Sequence, residues 1–162
     1  CTGILHHSKL RPEKRIDDIN IENLIELFKV NSISAMLAIK HLRKFLLRDS
    51  RAVIVNLSAR VGSISDNFLG GWYGYRSSKA ALNQLTKTLS IELQRNLPLS
   101  VCVALHPGTV DTQLSQPFQS AIPKEKIFTT QTAARQILNV ISKLNSTDNG
   151  SFIAWDGSKI PW

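Results

Sequence analysis

Ala52-Val53-Ile54-Val55-Asn56-Leu57 and Val101-Cys102-Val103-Ala104-Leu105 are short apolar runs rich in β-branched residues. Runs of this kind are strands buried on both faces, as in a parallel sheet. Between them a helix is expected from about Tyr73 to Arg95, with Pro98 just past its end. Strand, long helix, strand is a βαβ unit. Upstream, residues 22–48 read as one long helix. Leu24, Leu27, Phe28, Asn31, Ala35, Ala38, Ile39 and Leu42 recur there at three-to-four spacing, with polar Asn31 inside the apolar stripe. Residues 1–6 read as the tail of a buried strand, cut off at its beginning. Downstream, a polar loop with Pro117 and Pro123 leads to a helix from about Thr132 to Leu144, with Ala133, Ile137, Val140 and Ile141 inward. Asn149-Gly150 is a turn and Ser151-Phe152-Ile153-Ala154-Trp155 a final strand. The expected class is α/β, a doubly wound parallel sheet forming a single domain over 1–162. Right-handed crossovers would gather the strand C-terminal ends on one edge, where open α/β sheets bind ligands. Gly3-Ile4-Leu5, Asn56-Leu57-Ser58 and His106-Pro107-Gly108 fall at that edge.

The whole chain narrows the function classes. Its 162 residues suffice for one domain with a real core, and 43% hydrophobic with 20% charged is a globular balance. No apolar run reaches the ~20 residues of a membrane span, so no membrane partner is expected. The opening Cys1-Thr2-Gly3-Ile4-Leu5 carries no charged n-region or long apolar segment. Cys1 and Cys102 are too few for a disulfide scaffold, and a cytoplasmic location with reduced thiols is the expectation. The formal charge of +8 is scattered, densest over Arg11 to Arg15 and Lys40 to Arg51, and reads as solvated helix surface. No zinc-finger spacing or RNA-binding aromatic motif supports a nucleic-acid partner. His6, His7, His41 and His106 lack metal-ligand spacing, so no metal is expected.

Tyr75-Arg76-Ser77-Ser78-Lys79 carries the chemistry. Four residues is about one helical turn, so phenol and ammonium share a face. A lysine cation beside a phenol favours the phenolate, which predicts a Tyr75 pKa below the usual ~10. Such a phenol can give a proton to a carbonyl oxygen or take one from an alcohol. The pair gains specificity from its order among other features. Thr2-Gly3 ends a strand, Asn31 lies mid-helix, Asn56-Leu57-Ser58 ends the next strand, and Pro107-Gly108-Thr109-Val110-Asp111-Thr112 follows another.

This order resembles the short-chain dehydrogenase/reductase family. Asn56-Leu57-Ser58-Ala59-Arg60-Val61-Gly62-Ser63-Ile64, with Gly70-Gly71-Trp72-Tyr73-Gly74-Tyr75-Arg76-Ser77-Ser78-Lys79-Ala80-Ala81-Leu82-Asn83, is similar to its C-factor-like and sniffer carbonyl reductase branch. That branch is also associated with cell-to-cell signalling. The resemblance implies a Rossmann-like sheet and hydride transfer between NADP or NAD and a small-molecule carbonyl/alcohol pair. It implies Tyr75 as acid/base, Lys79 on the cofactor ribose hydroxyls, and Asn31 as the residue that positions a water in a proton relay. Thr2, Gly3, Pro107, Gly108, Val110 and Thr112, with Tyr75 and Lys79, would border the cofactor. A homodimer through two long helices is implied as well.

Two departures matter. The family's catalytic serine aligns with Ala59 when Gly62 is the anchor, so Ser58 or Ser63 would have to supply the hydroxyl, or none does. A one-residue shift on a strand end turns a side chain to the other face. The loss of one such donor would cost ~10²-fold or more in turnover. The chain also has no Gly-x-x-x-Gly-x-Gly turn to cradle a pyrophosphate. It therefore reads as the C-terminal portion of the family's domain, with the N-terminal βαβ half absent. An inactive truncated form or a signalling protein on the same fold is the alternative to an enzyme.

Overall fold

The computed structural model describes residues 2–162. Strands β1 (Ala52–Leu57), β2 (Ser100–His106) and β5 (Phe152–Ala154) form one parallel sheet in the order β1-β2-β5. Helix α3 (Tyr73–Asn96) joins β1 to β2, and α4 (Thr130–Lys143) lies between β2 and β5. Val101, Val103, Leu105 and Ile153 share a face with Val140 and Leu144 at the end of α4. Asn56 and Cys102, on the opposite face, meet Thr86 of α3. The sheet is thus covered on both faces, as the sequence predicts.

One expectation about the crossovers fails. The strand order advances in one direction from β1 through β2 to β5, yet α3 and α4 lie on opposite faces. Two consecutive connections so arranged have opposite hands, so they are not both right-handed. The ends of β1 and β2 still meet at one edge, because parallel pairing alone requires it.

The helix expected over 22–48 is divided. Helix α1 (Ile21–Phe28) passes through a π turn (Lys29–Ile33) into α2 (Ser34–Leu42), and a 3₁₀ turn ends at Phe45. Asn20 caps α1, accepting from the Asn23 N–H. The π turn brings consecutive residues Asn31 and Ser32 to the buried side together, which ordinary helical spacing resists. Beyond it the apolar stripe loses its cover: Leu42 is 58% exposed. Ala35, Ala38, Ile39 and Leu42 line a groove of about 470 Å³ beside β1, which has no strand on its outer side among the described residues.

Residues 2–6 carry no strand pairing, in contrast to the expected strand tail, and Cys1 lies outside the described residues. The Asn31 side chain takes both polar groups of Ile4 instead: Oδ1 accepts the Ile4 N–H at 2.8 Å and Nδ2 donates to its carbonyl at 2.9 Å. A side-chain amide stands where a strand neighbour's peptide would. The helix expected from Thr132 begins at Thr130, since Thr129 caps it through the Thr132 N–H. A two-residue parallel pair, β3 (Thr109–Val110) with β4 (Ile127–Phe128), is too short to leave a sequence signal.

Candidate active site

Helix α3 delivers Tyr75 and Lys79 to the sheet edge with an unusually polar buried face. Ser78, Lys79, Asn83, Thr86 and Ser90 on it are all buried. The polar groups weld α3 to its neighbours. Asn31 Nδ2 donates to Ser78 Oγ at 3.0 Å, Ser32 Oγ donates to the Ser78 carbonyl, and Ser78 Oγ donates to the Tyr75 carbonyl. Gly62 lets the loop after β1 touch the helix; a Cβ there would meet Lys79 Cβ at 2.7 Å and its carbonyl carbon at 2.9 Å.

Tyr75 is 7% exposed, and its hydroxyl has no hydrogen-bond partner among the described residues. It packs in an apolar cluster with Leu5, Leu10 and Leu27, bordered by Ala59, Trp72, Leu114 and Phe118. Trp72 meets the Tyr75 ring edge-on at 6.2 Å and Phe118 at 4.9 Å. Lys79 Nζ donates to the Leu57 carbonyl at 3.0 Å and stands 5.9 Å from the Tyr75 ring centre. Burial pushes the phenol up to about 12 and the ammonium down to about 8. The lowered phenol pKa expected from the sequence is therefore reversed. Both groups lose hydration, and burial is the cause of both shifts.

Gly3 joins this pair: a Cβ on it would lie 3.5 Å from Asn31 Oδ1 and 3.7 Å from Lys79 Nζ. Thr2 borders the groove with Asn31. Ser58 and Ala59 point apart, as strand alternation requires. Ser58 Oγ donates to Asn83 Oδ1 at 2.6 Å, inside α3's polar face, while Ala59 borders the Tyr75 cluster. Ser63 Oγ donates to the Pro161 carbonyl. Pro107 and Gly108 follow β2 directly. Gly108 has φ +77°, and a Cβ on it would strike Phe128 at 2.6 Å and Trp155 at 3.0 Å. Val110 pairs with Phe128, and Thr112 is exposed beside it. The same loop then turns inward: His6 Nε2 lies 3.1 Å from the Gln113 carbonyl and 3.2 Å from that of Leu114. His106 is held down at about 4 by burial first and by the Arg60 charge second.

Sequence reasoning missed Ser32, Ser78, Asn83 and Glu13. Ser78 and Asn83 on α3 stand five residues apart, Ser32 lies in the π turn, and all three look like solvated positions. Glu13, 3% exposed, sits between basic residues and carries no motif.

A parallel α/β sheet with a buried Tyr-x-x-x-Lys at its C-terminal edge defines the class of nicotinamide-type oxidoreductase folds. Residues 2–123 match the short chain dehydrogenase family, and the chain belongs to it. It is 29% identical to the C-signal of Myxococcus xanthus over 91% of this chain and 83% of that relative. It is 32% identical to a 1-hydroxy-2-glutathionyl-2-methyl-3-butene dehydrogenase of Rhodococcus sp. (strain AD45), over 83% of this chain and 56% of the relative. Among solved structures, the carbonyl reductase Sniffer of D. melanogaster superposes with TM-score 0.83 at 30% identity, over 99% of this chain and 63% of that one. An NADPH-bound carbonyl reductase from chicken fatty liver superposes with TM-score 0.82 at 30% identity, over 99% and 63% respectively. The chain thus spans less than two thirds of these three oxidoreductases. Among the described residues no helix is long and apolar enough to cross a membrane, and no cluster of three metal-ligating side chains occurs.

Proposed function

We propose that this chain carries the proton-transfer part of an NAD(P)-dependent carbonyl reductase, with Tyr75 as the proton donor. The observation that carries this reading is the Tyr75 phenol, buried beside Lys79 at the sheet edge with no partner for its hydroxyl among the described residues. With a pKa near 12 the phenol is fully protonated at neutral pH, the form needed to reduce a carbonyl.

The donor set fits the ribose and nicotinamide end of a dinucleotide. Lys79 spends one N–H on Leu57, which leaves two free for ribose hydroxyls. Thr2, Gly3, Pro107, Gly108, Val110 and Thr112 border the same edge, with Gly3 and Gly108 free of side chains. When bound, NADP or NAD would supply the hydride. Tyr75 then gives its proton to the carbonyl oxygen as the C=O bond becomes an alcohol, and Lys79 stabilises the phenolate left behind. Asn31 orders the strand-end segment through Ile4 and is the candidate for holding a relay water. Trp72, Leu114 and Phe118 pack against the cluster that holds the Tyr75 ring.

The open side of β1 and the adjoining groove suit a further parallel half that would bring the pyrophosphate cradle. Chain 1–162 is then one domain's C-terminal part, in a cytoplasmic homodimer that acts on a small-molecule carbonyl. A signalling or interaction role is the second reading. It is favoured by the coverage of C-signal and by Ala59 at the serine position.

Tyr75→Phe in the protein at its full natural length tests the first reading. Carbonyl reduction should disappear while dinucleotide affinity stays nearly unchanged, and retained turnover would remove Tyr75 from the mechanism. In the same assay Ser58→Ala should cost far less, because the Ser58 hydroxyl is spent on Asn83. An equal loss would make Ser58 the substrate-orienting donor.

A further inference from the structure

Helix α3 begins without a cap of its own. Its N-cap residue is Trp72, which offers no side-chain hydrogen bond and sits in the left-handed region at φ 52° and ψ 43°. A bulky residue there is strained, and the first N–H groups of a helix need acceptors. Glu13 meets both needs from 61 residues away. Its carboxylate Oε2 accepts the Gly74 N–H at 3.1 Å, and its backbone carbonyl accepts the Trp72 N–H at 2.5 Å.

The fit is close. A Cβ at Gly74 would lie 2.8 Å from Glu13 Oε1, 2.6 Å from Leu27 Cδ1 and 2.9 Å from Leu24 Cδ2. Only glycine lets the carboxylate reach the helix start. Glu13 is 3% exposed and has no basic side chain in ion-pair contact among the described residues. The positive end of α3 is what compensates its charge. The residue after Gly74 is Tyr75, and Trp72, whose backbone N–H Glu13's carbonyl holds, has its ring edge-on to Tyr75.

We propose that Glu13 is a positioning residue for Tyr75: it caps the catalytic helix in trans and sets both Tyr75 and the Trp72 wall against it. This rests on Tyr75 being the proton donor. Nothing in α3's own first turn does the job, since that turn has no acidic residue.

The test uses Glu13→Ala, Glu13→Gln and Glu13→Asp in the protein at its full natural length. Glutamine keeps an oxygen acceptor at the same reach, whereas aspartate withdraws the carboxylate by one methylene. Glu13→Ala and Glu13→Asp should lower kcat by about 10²-fold, as a misplacement of about 1 Å does. The KM for carbonyl substrate and the dinucleotide Kd should stay within about twofold, and Glu13→Gln should recover most of kcat. If Glu13→Ala does not fold, the aspartate and glutamine variants still decide. Wild-type kcat in Glu13→Asp overturns the proposal, as does a glutamine variant as impaired as aspartate. A parallel loss of dinucleotide affinity would make Glu13 merely structural and also overturn it. If the wild type has no Tyr75-dependent turnover, the functional reading falls and this inference falls with it. Intact turnover in every Glu13 variant removes this inference alone.

Discussion

Asn31→Ala should cost this chain about 3 kcal/mol of stability, and the figure follows from three hydrogen bonds. Asn31 is 2% exposed and bonds the Ile4 N–H at 2.8 Å, the Ile4 carbonyl at 2.9 Å and Ser78 Oγ at 3.0 Å. A typical net contribution is about 1 kcal/mol per bond, and an orphaned buried group costs about 1–3 kcal/mol. Ile4 is only partly buried, so water can recover part of the loss there, which holds the sum near three single bonds. Urea unfolding reads this directly. With m near ~2 kcal/mol/M, the midpoint should fall by about 1.5 M at unchanged m. A loss under about 1 kcal/mol would refute the view that Asn31 is the strand substitute for residues 2–6. A change in m would point instead to a looser native state.

Lys79 makes stability depend on alkaline pH in an unusual direction. Its folded pKa near 8 lies below the unfolded 10.5, so the unfolded chain binds more protons in between and stability rises with pH across roughly 8 to 10.5. The span of 10.5 to about 8 is on the order of 3 kcal/mol, and Lys79→Met should abolish the rise. Urea midpoints at pH 7.5, 9 and 10 check it, and parallel curves for both proteins would defeat it. Tyr75 acts oppositely: its raised pKa adds stability present below pH 10 and lost toward 12. Gly108→Ala combines left-handed strain with a 2.6 Å clash on Phe128 and should cost about 2–4 kcal/mol by thermal melting. Gly157→Ala, at φ +89° in open space, isolates the strain and should cost only about 1 kcal/mol. Equal losses would show that the Phe128 and Trp155 packing at Gly108 is incidental.

The strands and helices legible in the sequence were those with a continuous apolar run or a long helical span. β2 is buried almost throughout, while β1, half-buried at all but Asn56, and α3 declare themselves by apolar composition or length, and their order located the edge where Tyr75 and Lys79 stand. What escaped depends on contacts between distant segments. The 22–48 stripe predicts one helix, but the π turn at Lys29–Ile33 lets Asn31 reach Ile4 and Ser78 while the next residue, Ser32, reaches the Ser78 carbonyl. Glu13 is invisible for the same reason, since its acceptor role belongs to a helix 61 residues away. The polar seam on α3 resembles a solvated face in sequence because Asn83 and Thr86 find their partners only once β1 lies against them.

The Tyr75–Lys79 pair shows why spacing alone misjudges chemistry. One helical turn places the two groups on one face, and in water the cation would favour the phenolate. In the fold both groups are nearly dehydrated, so desolvation outweighs a lysine that faces the ring. The resting phenol is a weak acid that holds its proton, which suits the carbonyl reduction we propose. Proton transfer then requires charge to develop on the carbonyl oxygen first. Among the described residues of that cluster the Tyr75 phenol is the one O–H, with Ala59 beside it, so on the proposed reading no second hydroxyl there shares the task. On that reading, its placement governs turnover more steeply than in a site with two donors. The buried Glu13 carboxylate at the start of that helix is, under the same proposal, the point at which the placement is most easily lost.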